Sequence, residues 1–204
     1  MDFDTFYFHS QNAEKLKVNI NEVMRYMGQG TEDEKVGKLI EELIPLSIRK
    51  AKPKASFVMK KLERRGEELI FGNVTTNSSS LKKALTDCES VIVFAMTLGT
   101  DTDRLIASRA SESSVCHTLS AIATELMEEY ADMVCDDIGT ELKKDELKLL
   151  PRFGVGYGDF SLGHQADIIN MCEGYKRCGI TTTDAHMLVP SKSITGIMGI
   201  RKGN

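Results

Sequence analysis

The apolar positions along the chain change period several times, and each change marks an element. Val36, Leu39, Ile40, Leu43 and Ile44 recur at intervals of three and four, as on one face of a helix. Thr31 followed by Glu34 matches a capping box, so that helix is expected to open at Thr31. Pro45 either ends or kinks it, or the helix resumes through Ile48. Just upstream, Val23, Met24 and Met27 predict a shorter helix, capped by Asn19 or Asn21 and stopped by Gly28. The aromatic run FDTFYFH (3–9) alternates like a short strand.

Beyond Pro53 the pattern is mixed, and a strand pair is expected around Gly66. NVTTNSSSLKKAL (73–85) reads as a loop entering a helix capped by one of Ser78, Ser79 or Ser80. SVIVFAMTLG (90–99) is a continuous apolar run rich in β-branched residues, which predicts a buried central strand. Asp101 or Thr102 caps a short helix. The longest helix is expected from about Ser113 to about Ile138, with Val115, Leu119, Ile122, Leu126, Met133 and Val134 as its core stripe. KKDELK (143–148) reads as a charged helix end or loop, and Pro151 opens a second loop. A helix follows from Ser161 to Cys172, with Leu162, Ile168, Ile169 and Cys172 facing inward. TTTDAHML (181–188) suits a strand, VPSKS a turn and SITGIMGI (193–200) a final strand. Strands and helices interleave irregularly. The expected class is therefore mixed α+β, a largely antiparallel sheet with flanking helices.

Length and composition narrow the possible roles. The 204 residues suit a single domain spanning 1–204. Within it, about 1–85 read as a helical and irregular part, and about 90–200 as the core. The net charge is −4 and no long basic run occurs, so no nucleic-acid partner is expected. No apolar stretch approaches a membrane span, and MDFDTFYFHS lacks the basic start and apolar block of a signal peptide, so a cytoplasmic protein is expected. The five cysteines include no CxxC pair and suit buried free thiols. Neither a GxxxxGK[ST] loop, a GxGxxG turn nor an HExxH motif is present.

Two features carry candidate chemistry. On the long helix, His117, Ala121, Thr124, Glu128, Ala131 and Cys135 line up at intervals of three or four. This stripe suits either close helix packing with Glu128 in solvent, or a ligand-facing surface with one carboxylate. The second feature is RFGVGYGDFSLGHQ (152–165), where Gly154, Gly156 and Gly158 alternate. Such glycines permit close backbone approach to a bulky ligand, or simply a sharp turn. Arg152 suits a carboxylate partner or a surface ion pair. Tyr157 suits a flat contact face or the core. Asp159, His164 and Gln165 are second-tier pocket candidates or cap residues.

The C-terminal half resembles the S-adenosylmethionine-binding reactivation domain of cobalamin-dependent methionine synthase, in its short stand-alone form. Three segments carry the resemblance in order: the helix AIATELMEEYADMV, Arg152-Phe-Gly-Val-Gly156-Tyr157 in place of the family's Arg-x-x-x-Gly-Tyr, and GITTTDAHMLVPSKSITGIMGI. It covers roughly 90–200, and the family's usual Pro-Ala-Pro is replaced here by Phe153-Gly154-Val155. The resemblance implies that Arg152, Gly154, Gly156, Tyr157 and Glu128 bind S-adenosylmethionine, with Glu125 as the alternative one turn away. Asp2 and Asp4 are candidates for the family's N-terminal acidic contact. Tyr157 would also face the corrin. The implied activity is reductive reactivation of methionine synthase, in which the sulfonium methyl is presented to cob(II)alamin held by the partner while a flavodoxin-like or other low-potential donor supplies an electron. The alternatives are reactivation of another corrinoid methyltransferase, a docking module for a cobalamin domain that does not use S-adenosylmethionine, and an unrelated hydrolase.

Overall fold

The computed structural model describes residues 1–28 and 34–203. Its centre is a five-stranded antiparallel sheet. In chain order the sheet strands are β1 (Phe6–Ser10), β2 (Lys54–Lys61), β6 (Ser90–Thr97), β7 (Leu147–Gly154) and β10 (Ser193–Lys202), and in space they run β1-β2-β6-β10-β7. Between β2 and β6 a small meander forms from β3 (Glu63–Arg65), β4 (Glu68–Phe71) and β5 (Val74–Thr76), turning at Gly66 as expected. Strands β8 (Thr181–Thr182) and β9 (Leu188–Val189) make a two-residue ladder.

The sheet is covered on both faces. One face carries α1 (Ile20–Tyr26), α2 (Glu34–Lys50), α4 (Thr100–Ala107) and α5 (Ser113–Lys143). The other carries α6 (Gln165–Met171), α7 (Gly174–Cys178), the meander and α3 (Ser79–Ala84). Strand β6 lies between the two cores and is buried along its whole length. Ile92, Phe94 and Met96 point toward α5, while Val91, Val93 and Ala95 point to the other side. That double burial explains an unbroken apolar run where a half-buried strand would alternate. Each of these side chains larger than alanine contributes about 1.5–3 kcal/mol of hydrophobic stabilisation.

Several local expectations hold in detail. Asn19 caps α1 by accepting from the Asn21 N–H, and Ser78 caps α3 by accepting from the Leu81 N–H. Helix α2 continues past Pro45 to Lys50; Ile40 at its centre is fully buried, and its packing outweighs the lost backbone bond. The Thr31–Glu34 capping box has Thr31 outside the described residues. Cys88, Cys172 and Cys178 are buried free thiols, whereas Cys116 and Cys135 are half-buried. No helix of the described residues is long and apolar enough to cross a membrane.

Other expectations fail. Residues 1–85, read as helical and irregular, supply β1 and β2 to the main sheet. Helix α4 is capped at Gly99, before Asp101 and Thr102. Leu162, expected inside, is exposed in a short 3-10 turn before α6. Of TTTDAHML, only its ends pair as β8 and β9. The largest difference is β7: KKDELK reads as a charged helix end or loop and the stretch after Pro151 as a loop, and while Lys143 does end α5, Leu147–Gly154 is an edge strand of the sheet. An edge is where a strand tolerates proline, because no neighbour needs the missing N–H.

Candidate functional site

Strand β7 contains the irregularity that builds the site. Its register against β10 pairs Ile200 with Leu149 but Met198 with Arg152, so Leu150 and Pro151 together oppose Gly199. This is a β-bulge, and it shifts the alternation by one residue. Leu147 and Leu149 pack into the α5-side core, and Leu150 packs into the opposite one. A regular strand would send Arg152 after Leu150, away from α5. The extra residue instead turns Arg152 to the α5 side, and Phe153 packs on the other core.

Arg152 therefore meets α5. Its Nη2 donates to Glu128 Oε2 at 2.8 Å and lies 2.9 Å from Asp132 Oδ1. Glu128 and Asp132 are one turn apart, hence on one face of the helix. The Arg152 side chain is 20% exposed, against 42% for Glu128 and 71% for Asp132. Arg152 Nη1 is buried and has no hydrogen-bond partner. Cys135 follows on the same helix face, beside the guanidinium; burial pushes its thiol pKa up, and the Arg152 charge and hydrogen bonding oppose that shift.

Arg152 borders a groove of about 1490 Å³ between the C-terminal half of α5 and β7. Its lining is charged with both signs: Lys143, Lys148, Arg152 and Arg201 against Asp132, Asp136 and Glu146. Arg201 Nε is also buried without a partner. Among the described residues, the buried side-chain donors without a partner both belong to arginines bordering this groove. Unsatisfied buried donors are rare in folded proteins and mark either strain or a missing acceptor.

The rest of the stripe on α5 divides. Ala121 and Ala131 pack in the core and His117 is exposed. Thr124 and Ser120 accept from Lys192 Nζ, each at 3.0 Å. Burial lowers the Lys192 pKa, with Asp103 acting against the shift. Glu125 points elsewhere. It is buried, accepts from the Asn19 N–H at 3.1 Å and ties α5 to the start of α1. Burial raises its pKa, opposed by that N–H. Of the two glutamates, then, Glu128 is the one beside Arg152.

The glycine loop is packed by its own side chains. A Cβ on Gly154 would stand 2.8 Å from the Tyr157 ring, and one on Gly156 would stand 2.6 Å from Leu162. The glycines let the loop fold back on itself, and the Val155, Gly156 and Tyr157 N–H groups are spent on Thr195, Phe160 and Gly154 carbonyls. Tyr157 is 70% exposed at the tip. Asp159 instead caps α3: it accepts from Ser78 Oγ, from the Ser79 N–H and Oγ, and from the Ser80 N–H. The Ser78 and backbone bonds hold its pKa well below the usual carboxylate range. The His164 ring stacks on Phe160 at 5.0 Å. Gln165 is buried and accepts from Thr195 Oγ1. Asp4 pairs with Lys60, and neither Asp2 nor Asp4 borders the Arg152 groove.

Sequence reasoning did not single out Asp132, Lys192 or Arg201. Asp132 was within reach, since it lies four residues after Glu128 on a helix. The other two depend on how β10 sits against its neighbours. The described residues hold no cluster of His, Cys, Asp or Glu suited to a metal ion.

No known family's sequence profile matches this chain, and no curated protein sequence matches it. Among solved structures, the crystal structure of the MetH reactivation domain bound to AdoHcy is similar in fold. Its TM-score is 0.74 at 14% identity, over 96% of this chain and 78% of that one. The mixed α+β architecture expected from the sequence is therefore present, and its fold is shared with that domain.

Proposed function

We propose that this chain binds S-adenosylmethionine beside Arg152 and presents its methyl group to a corrinoid cobalt held by a partner methionine synthase, so restoring a cofactor lost to oxidation. The reading rests first on one observation: the bulge in β7 brings Arg152 against Glu128 and Asp132 at the edge of a mixed-charge groove. The fold is that of a domain solved with AdoHcy.

The residues fit such a ligand. It carries a carboxylate, an ammonium and a sulfonium, and a groove lined by both signs of charge can pair each. Arg152 is the carboxylate partner; its Nη1 is a donor in need of an acceptor. Glu128 and Asp132 would take the ammonium and stay close enough to hold the guanidinium in place. S-adenosylmethionine supplies the reactive methyl; the chain supplies position and charge, and no general acid or base is required. Tyr157, exposed at the loop tip, would touch a partner's corrin. The electron comes from a separate low-potential donor, such as a flavodoxin-like protein.

One observation favours a second reading. Arg152 already has two carboxylate partners inside the chain, so the cluster could be complete without a ligand, and the chain would then act as a docking module for a cobalamin domain. Calorimetry with S-adenosylhomocysteine separates the two, since a docking module gives no heat. Mixing the chain with a cob(II)alamin-loaded methionine synthase, a reductant and S-adenosylmethionine then tests the reaction. The methylcobalamin spectrum should appear with this synthase and with no other corrinoid methyltransferase.

A further inference from the structure

On the opposite flank of α5 from Arg152 lies a second, smaller cavity of about 370 Å³, within the size range of small-molecule sites. It sits where β1 and β2 meet the last turns of α5. Its floor is apolar. Tyr7 of β1 pairs with Phe57 of β2 in register, and the rings stack at 5.6 Å and 11°. Val134 and Ile138, one turn apart on α5, close the other wall.

The rim is mainly acidic, and the Met1 ammonium beside it is turned to Asp145 at 3.6 Å. Asp137 and Glu141 project from α5, and Asp2 from the segment before β1. Glu141 is already engaged by Lys144 Nζ at 2.5 Å. Asp137 differs. Its partner is His9 Nε2 at 3.5 Å, and His9 is held from its other nitrogen by Tyr130 Oη at 3.0 Å. Among the described residues no lysine or arginine pairs with Asp137. An apolar floor with an aromatic pair, below a carboxylate that no lysine or arginine engages, suits a cation with a flat apolar body, because the outer face of Tyr7 attracts positive charge as the carboxylate does.

We infer that this cavity is a binding site for a small organic ammonium compound with an aromatic or similarly flat apolar group, seated on Tyr7 and Phe57 with its charge on Asp137. The site is separate from the groove at Arg152 and does not depend on what that groove binds. Anions of the same size are rejected by the Asp2, Asp137 and Glu141 rim, and neutral compounds gain only the apolar contact.

The test uses three probes of one shape, benzylammonium, benzyl alcohol and benzoate, titrated into the full chain and followed by amide NMR. Saturable shifts should appear in β1 and in residues 134–141. Benzylammonium should bind about tenfold more tightly than benzyl alcohol, and benzoate should not saturate. Asp137→Asn, an exposed change that leaves the core untouched, should bring benzylammonium down to the alcohol's affinity while leaving the alcohol unchanged. Equal affinities for the three probes, shifts confined to other regions, no saturable binding, or an Asp137→Asn variant with unaltered preference would each overturn the inference.

Discussion

Arg152 Nη2 lies 2.8 Å from Glu128 Oε2, although the two residues come from an edge strand and a helix that share no local sequence signal. The contact sets a charge that is mostly buried against one half-buried and one largely exposed carboxylate. Such pairs contribute little to stability, about 0–1 kcal/mol when partly exposed. Their value lies in aiming the guanidinium.

That reasoning gives the first prediction. Arg152→Ala removes a guanidinium with a buried, unsatisfied nitrogen, which offsets the ion pairs it loses. Its thermal midpoint should stay close to the parent's, while calorimetric affinity for S-adenosylhomocysteine falls below detection. Arg152→Lys keeps the charge but loses the planar fork, and should weaken binding about tenfold. Unchanged affinity in Arg152→Ala would falsify the ligand role.

Gly199 carries the second. It is the single residue of β10 opposite the bulge, and a Cβ there would stand 2.5 Å from Cys88 Sγ and 3.0 Å from Leu85 Cδ2. Gly199→Ala should overpack this spot and cost about 1–3 kcal/mol in urea denaturation. The strain is relieved by shifting β7 or α3, so ligand affinity should fall with stability. A fully stable Gly199→Ala variant would show that the bulge is not fixed by this close approach.

How much of the fold is legible in the sequence follows from the same strand. Strand β6 was legible because burial on both faces leaves an apolar run with no competing pattern. The Ser78 cap and the long helix were legible because both are local. Strand β7 was not: Lys148 and Pro151 break its alternation, and the bulge places Leu149 and Arg152, three residues apart, on one face. Glu128 was identified on a helical stripe and by resemblance, and the structure sets it beside Arg152, yet nothing local tells that Arg152 would reach it. Asp159 misled for the opposite reason. A carboxylate in a glycine loop suggests a pocket, but its partners are three serines some eighty residues away, visible only once α3 packs beneath the loop.

Asp159 therefore gives a pH prediction. Its pKa in the folded chain is depressed, by Ser78 Oγ and by the Ser79 and Ser80 N–H groups. A depressed carboxylate stabilises the fold above its unfolded value, near 3.9, and that stability is lost as pH falls through the folded value. Asp159→Asn should melt below the parent at pH 6, and the gap should close as the pH is lowered from about 4 toward 2. A gap that persists unchanged at low pH would mean that Asp159 acts through shape alone.

Tyr157 provides the last prediction, because it separates folding from partner contact. Its ring folds over Gly154 and meets Phe153 edge-on at 6.3 Å, yet 70% of the residue is exposed. Little apolar area is gained there, so Tyr157→Ala should change unfolding free energy by no more than about 0.5 kcal/mol. Opening the space above Gly154 should leave the affinity for S-adenosylhomocysteine within about twofold, since Arg152, Glu128 and Asp132 are untouched. The rate at which the methylcobalamin spectrum appears with a partner synthase should nevertheless fall, because an exposed ring at a loop tip is a contact made only in the complex. Tyr157→Phe should restore most of that rate if the flat face is what matters, and little of it if the hydroxyl does. A Tyr157→Ala chain that reactivates at the parental rate would remove the ring from the docking surface and leave its exposure without a role.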